Sequence, residues 1–220
     1  MFPYMAGKED VGSYRATFAY SRNLFASRDP GEMARKSGSI FDPERSRITL
    51  QSLGQWLEVD FPGGNIRFAR SSLCPVWPWR LVVLNYLWRA DDTPVSRRLI
   101  SYRELENGQV FYPAFARESI QPLVKKFSQA PPDNIRQAFR ELSAGLRDGA
   151  DVCGVFDFLP RFPVTVKIWL EDEEIGGSAN ILFDATANHY LHTEDVAVAG
   201  NLVSYFLIKQ YESLTASAGT

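Results

Sequence analysis

An α+β fold, with antiparallel sheet packed against helices, is what the order of hydrophobic periods in this chain predicts. Three observations carry it. Period-two runs fall in two blocks, residues 48–68 and 152–183, with helical patterns before, between and after them. Turn segments join the runs inside each block, so that sequence neighbours pair as hairpins. No β-α-β alternation repeats, which argues against a doubly wound parallel sheet. The 220 residues, 45% hydrophobic and 23% charged, suit a single compact domain spanning 1–220.

Residues 10–27 form the first predicted helix. Val11, Tyr14, Phe18 and Phe25 recur near helical spacing, and Asp29-Pro30-Gly31 stops it. A short helix follows at 31–36. The period then becomes two: Ile48 and Leu50, then Leu57, Val59 and Phe61, then Ile66 and Phe68. Gly54 and Pro62-Gly63-Gly64-Asn65 supply the turns of a three-stranded meander. The double glycine reads as a hairpin turn, because no helix follows it directly as a phosphate cradle requires.

"CPVWPWRLVVLNYLWRADD" is the strongest helix, with Pro78 in its first turn. Trp79, Val82, Val83, Tyr86 and Leu87 make one apolar face, widened by Leu81, Leu84 and Trp88. Only Arg80, Asn85 and Arg89 remain as a polar stripe, so this helix is expected at the centre of the core. Ser101 and Glu104 fit a Ser-x-x-Glu capping box. A helix is expected from about Pro113, kinked or broken at Pro122, and an amphipathic helix over 135–146. Strands follow at 152–158, 164–170 and 179–183; in the second, Val164, Val166, Ile168 and Leu170 alternate with Thr165, Lys167 and Trp169. Thr193 is the expected cap of a last helix from Glu194 to about Glu212, with residues 213–220 a loose tail of small side chains.

The 24 basic and 26 acidic residues give a net charge of −2, which does not suggest nucleic acid as a partner. Residues 1–110 carry 15 basic and 12 acidic side chains; residues 111–220 carry 9 and 14. The acidic bias is sharpest over 148–195 and reads first as a solvated face. Cys74 and Cys153 form no metal or disulfide motif and are expected to be buried free thiols. The N-terminus lacks the basic lead and apolar run of a signal peptide, and the longest uncharged helical stretch, 196–208, is too short for a bilayer. A cytoplasmic protein with no membrane association is the expectation.

Chemistry concentrates at "NHYLHTEDVA", which holds both histidines of the chain, His189 and His192. With Glu194 and Asp195 they are candidate metal ligands, but they precede the helix and lack the His-Glu-x-x-His spacing of metalloproteases. Asp172, Glu173, Asp184, Glu194 and Asp195 offer carboxylate pairs for acid–base work, while acidic residues in a first helical turn already complement the helix dipole. No nucleophile motif surrounds either cysteine. The best ligand candidate is the loop-rich stretch with Tyr102, Arg103, Glu104, Phe111, Tyr112 and Phe115, whose aromatic walls and arginine suit a small anionic or planar ligand. The alternative is that these aromatics are core and Arg103 pairs with Asp184 or Glu194.

Taken in order, "LNYLW", "LISYREL", "FYPAF", the "PRFPVTVKIWLEDEE" stretch, "ILFD" and "YLHTEDV" resemble an uncharacterised domain-of-unknown-function family of anaerobic bacteria and archaea. The resemblance covers about 77–207, and residues 1–76 match less distinctively. It implies a place near anaerobic redox or one-carbon metabolism, where any cluster would be held by a partner protein, since this chain has too few cysteines. It also implies that Thr193-Glu194-Asp195 belongs to the family pattern and that the histidines do not, because proline usually precedes that Thr-Glu-Asp. The expected function is a non-catalytic ligand-binding or accessory module, its site drawn from Arg103, Glu104, Tyr112, Asp184, Glu194 and Asp195. A carboxylate-based, metal-assisted hydrolase and a protein-interaction domain are the alternatives. The sequence names neither a cofactor nor a catalytic residue.

Overall fold

A computed structural model describes residues 2–217. A 3-10 turn (Pro3–Met5) leads into a two-residue strand β1 (Ala6–Gly7), followed by helix α1 (Arg15–Ala26) and helix α2 (Pro30–Ser37). Helix α1 begins later than residue 10, because Gly12 is left-handed (φ +55°) and a single 3-10 turn, Gly12–Tyr14, precedes it. Asp29 caps α2 by accepting from Glu32 N at 2.8 Å, with Pro30 in the first turn and a left-handed Gly38 at the end.

The first sheet has four strands rather than three. To the expected meander, β3 (Arg47–Ser52), β4 (Gln55–Asp60) and β5 (Ile66–Phe68), the chain adds an edge strand β2 (Ile40–Asp42). Its three residues are too few to show a period. Strand β6 (Cys74–Pro75) pairs with β1 and leads into α3 (Trp77–Arg89). Trp79, Val82, Val83, Leu84, Tyr86 and Leu87 of α3 are all buried, as its apolar circumference requires.

After β7 (Leu99–Ser101), α4 (Gly108–Phe115) starts five residues before Pro113 and contains it. A π-helical turn, Ala116–Ile120, joins it to α5 (Gln121–Phe127), so Pro122 does not end the helical path. Proline at 122 has no N–H to give the carbonyl of Glu118, and a wider turn relieves its ring. Asn201 Nδ2 donates to that carbonyl instead, at 3.0 Å.

Helix α6 (Pro132–Glu141) ends earlier than expected. Ser143 turns left-handed (φ 61°), and Gly145–Arg147 becomes β8, the edge of a five-stranded antiparallel sheet. That sheet also contains β9 (Val152–Leu159), β10 (Phe162–Trp169) and β11 (Ser178–Asp184), in the order β7-β11-β10-β9-β8. Gly154 of β9 lets Phe139 of α6 lie against the backbone; a Cβ there would be 2.3 Å from the ring.

A short helix α7 (Ala187–Tyr190) precedes α8 (Thr193–Ser217). Residues 213–217 are therefore helical, not a loose tail; 218–220 lie outside the described residues. Thr193 does not serve as the expected cap. Its hydroxyl donates to the Glu106 carbonyl at 2.6 Å and accepts from Asn188 Nδ2, which ties the helix start to the loop before α4. Buried apolar side chains from Met5 to Tyr211 form one contiguous cluster. Ser52 links the two sheets: it donates to the Phe158 carbonyl and accepts from Trp79 Nε1. Both cysteines are free and buried, and among the described residues no helix is long and apolar enough to cross a membrane.

Candidate functional site

The polar stripe of α3 organises most of the candidate chemistry. Asn85 accepts from Ser21 Oγ at 2.7 Å and from Trp88 Nε1 at 3.2 Å, and its Nδ2 donates to both carboxylate oxygens of Asp195 at 2.9 and 3.1 Å. Burial pushes the Asp195 carboxyl up to about 6. The Asn85 amide, the Arg89 charge and the His192 N–H oppose that rise, and the Glu194 charge adds to it. Asp195 thus sits in the first turn of α8, as expected, but inside a closed pairing rather than open to a substrate.

The histidines have separate partners. His189 Nδ1 lies 2.7 Å from Asp91 Oδ2 and 3.1 Å from Thr93 Oγ1. His192 Nε2 lies 3.0 Å from Arg89 Nη1. Among the described residues no three His, Cys, Asp or Glu side chains are grouped to hold a metal ion.

Residues 91–98 have no regular structure, yet they are pinned at several points. Asp92 is held between Arg35 Nη1 at 2.5 Å and Arg161 Nη1 at 2.6 Å, and these two guanidinium groups keep its carboxyl below the usual range. Arg161 N also donates to Tyr86 OH, which donates to the Ser37 carbonyl. The Tyr190 hydroxyl donates to the Thr93 carbonyl. Ser96 N and Oγ donate to Asp184 Oδ1, which also accepts from Thr186 N and Oγ1. Burial works against the Asp184 charge, but these four donors hold its carboxyl below the usual range.

The six residues named from the sequence therefore divide. The Arg103 guanidinium lies 3.8 Å from the centre of the Tyr112 ring, a cation–π contact in place of a pairing with Asp184 or Glu194. Glu104 accepts from Ser101 N and Oγ, as the capping box requires. Glu194 lines a cleft of about 390 Å³ with Tyr102, Phe111 and Phe115; burial and the Glu194 charge push the Tyr102 phenol up to about 12. Asp184 borders a different cavity, of about 600 Å³, on the five-stranded sheet.

That second cavity contains what the sequence did not flag. Thr165 and Lys167 alternate with the buried Val164, Val166 and Ile168, so they occupy the face of β10 turned away from the core. Strand register sets Val155 beside Thr165 and Cys153 beside Lys167. Arg147, from β8, lies beside Cys153, and Arg97 comes from the pinned segment. Val95, Leu99, Val155 and Pro163 supply apolar lining. The alternation in β10 was legible in advance, but the partner strands were not.

Residues 29–205 match the family model described as Domain of unknown function (DUF3786), and the chain belongs to that family. The match reaches further toward the N-terminus than residue 77 and takes in the four-stranded sheet. No curated protein and no solved structure matches the chain.

Proposed function

We propose that this member of a family without an assigned activity is a non-catalytic binding module, and that the cavity on the outer face of the five-stranded sheet receives its ligand. One observation carries the reading. Arg97, Arg147 and Lys167 line a cavity of about 600 Å³ beside apolar Val95, Leu99, Val155 and Pro163; the carboxylates of Asp148 and Asp184 also line it, but among the described residues neither forms an ion pair with any of the three cations. Ligand pockets commonly measure about 300–1,000 Å³ and combine apolar walls with a few placed polar groups. The ligand class is a small molecule with a flat apolar body and an anionic group.

Two further facts support a binding role over hydrolysis. The carboxylates named from the sequence lie in different surroundings, and Glu104, Asp184 and Asp195 are engaged by protein donors. The contiguous core supports treating the chain as one folded unit.

The test uses 8-anilinonaphthalene-1-sulfonate, which has both chemical features. Fluorescence titration of the native protein is expected to saturate at one site. Lys167→Glu and Arg147→Glu are each expected to weaken binding about tenfold, since hydrogen bonds to charged groups contribute about 1.5–3 kcal/mol. Unchanged affinity in both variants would move the site elsewhere, and turnover of any substrate abolished by Asp184→Asn would overturn the non-catalytic reading.

A further inference from the structure

A second cationic cavity lies at the opposite end of α3 from Asp195. It measures about 310 Å³ and is lined by three arginines from three elements: Arg22 of α1, Arg67 of β5 and Arg80 of α3. One carboxylate, Glu9, faces them, and it pairs with Arg67 at 3.3 Å while remaining largely exposed. Arg80 is only 5% exposed. Its two terminal nitrogens donate to neutral groups, the carbonyls of Glu9 at 3.2 Å and Lys8 at 2.7 Å. Arg22 donates to a neutral amide, Asn65 Oδ1, at 3.1 Å. Neither has an ion-pair partner among the described residues, and the Nε atoms of both are buried without an acceptor.

The two guanidinium groups approach the same ring. Arg22 Cζ and Arg80 Cζ lie 5.8 and 5.6 Å from the centre of Phe18. Contact with the ring offsets part of the cost of placing like charges together. It does not supply a countercharge, and burying an uncompensated charge is costly. Cys74 also lines the cavity, and its thiol donates to the Gly7 carbonyl at 3.3 Å. The double-glycine turn closes the other side. Gly64 is left-handed (φ +65°), and a Cβ there would lie 3.0 Å from Leu84 and 3.1 Å from Arg22. The turn's glycine thus allows backbone, guanidinium and the core helix to meet at one place.

We propose that Arg22, Arg67 and Arg80 form a binding site for a tetrahedral oxyanion, either free phosphate or the phosphate of a small phosphomonoester. The anion supplies the countercharge that Arg22 and Arg80 do not receive from Glu9, which pairs with Arg67. Planar guanidinium forks suit phosphate oxygens, and Asn65 Nδ2 is an additional donor at the turn. The cavity volume, at the low end for ligand sites, fits a phosphate with a small organic group.

The experiment uses the whole chain in chloride buffer free of phosphate and sulfate. Inorganic phosphate and glycerol 3-phosphate are titrated at constant ionic strength, with thermal unfolding and the arginine Nε–H resonances as readouts. A saturable rise in Tm is expected, because a ligand that binds only the folded state stabilises it. The resonances of Arg22 and Arg80 are expected to move together. Arg22→Gln, at a half-buried position, and Arg67→Gln, at an exposed one, are each expected to weaken binding about tenfold. Tighter binding of glycerol 3-phosphate identifies a phosphomonoester site; equal or weaker binding identifies a site for the free anion. A Tm response no larger than that to matched chloride, arginine resonances that do not move, or an undiminished response in both variants would each overturn the proposal.

Discussion

The two ends of helix α3 place the same kind of side chain in opposite electrostatic circumstances. At the C-terminal end, Arg161 and Arg35 share Asp92, and Arg89 lies close enough to Asp195 to favour its charge. Asn85 turns both of its polar atoms to groups of opposite character. At the N-terminal end, Arg80 and Arg22 donate to carbonyls and an amide beside a shared ring, and the one carboxylate lining the cavity, Glu9, pairs with Arg67 instead. The difference separates two uses of arginine that look alike in sequence. One closes a circuit within the fold and holds the segment 91–98 in place. The other leaves a charge to be completed from outside.

Asn85→Ala breaks the comparison most severely. It removes the amide that donates to both oxygens of the buried Asp195 carboxylate, leaving only the His192 N–H, and about 3–4 kcal/mol of stability is expected to be lost at pH 7. For a domain of this size that is a fall of roughly 6–16 °C in Tm. Calorimetry at pH 7 and pH 4.5 checks it: the deficit is expected to shrink at the lower pH, where Asp195 takes up a proton.

Asp195→Asn sharpens the same end. The folded carboxyl titrates at about 6, above its ordinary value of 3.8. A raised carboxyl favours folding when protonated, so its advantage is full below about pH 4 and is lost as pH rises through 6. Relative to the variant, the native protein is expected to lose about 2–3 kcal/mol between pH 4 and pH 7, from a shift of about two units. Urea titrations across that window that run parallel for the two proteins would contradict it.

Asp92→Asn is expected to produce a smaller fall in Tm, because the partners are partly exposed. That fall is expected to diminish in 0.5 M salt, as screening requires. Arg22→Gln in phosphate-free chloride is the smallest change, within about 0.5 kcal/mol of the native protein. A large loss there would mean that Arg22 has a countercharge within the fold and would erase the contrast between the two ends.

The sequence carried the fold class because local signals matched it. The apolar circumference of α3, the alternation in β10 and the Asp29-Pro30 helix start all report on neighbours within a few residues. Its errors fell where contacts were distant. Pro122 looks like a stop because the amide that replaces its missing bond is at 201. Thr193 looks like a cap because the acceptor of its hydroxyl is at 106. Residues 40–42 make a strand only because β3 is beside them.

The candidate sites were less legible for the same reason. The carboxylates of "YLHTEDV" and "ILFD" attract notice because they cluster in sequence, but their partners at 85, 96 and 186 use them within the fold. Arg22, Arg67 and Arg80 are spread over 58 residues and carry no motif. Arg80 was visible only as part of a polar stripe, and nothing in the helix itself says that the stripe is buried at that position.

The π-helical turn before Pro122 links two positions that would otherwise vary independently. A proline at 122 leaves the Glu118 carbonyl without its helical donor, and Asn201 on α8 supplies one. In homologues, loss of the proline is expected to release 201 from carrying an amide, while loss of the amide alone leaves an unsatisfied carbonyl. The two positions are expected to be inherited as a pair, and the pairing would mark the alignment of α8 against the α4–α5 path wherever the family retains this turn.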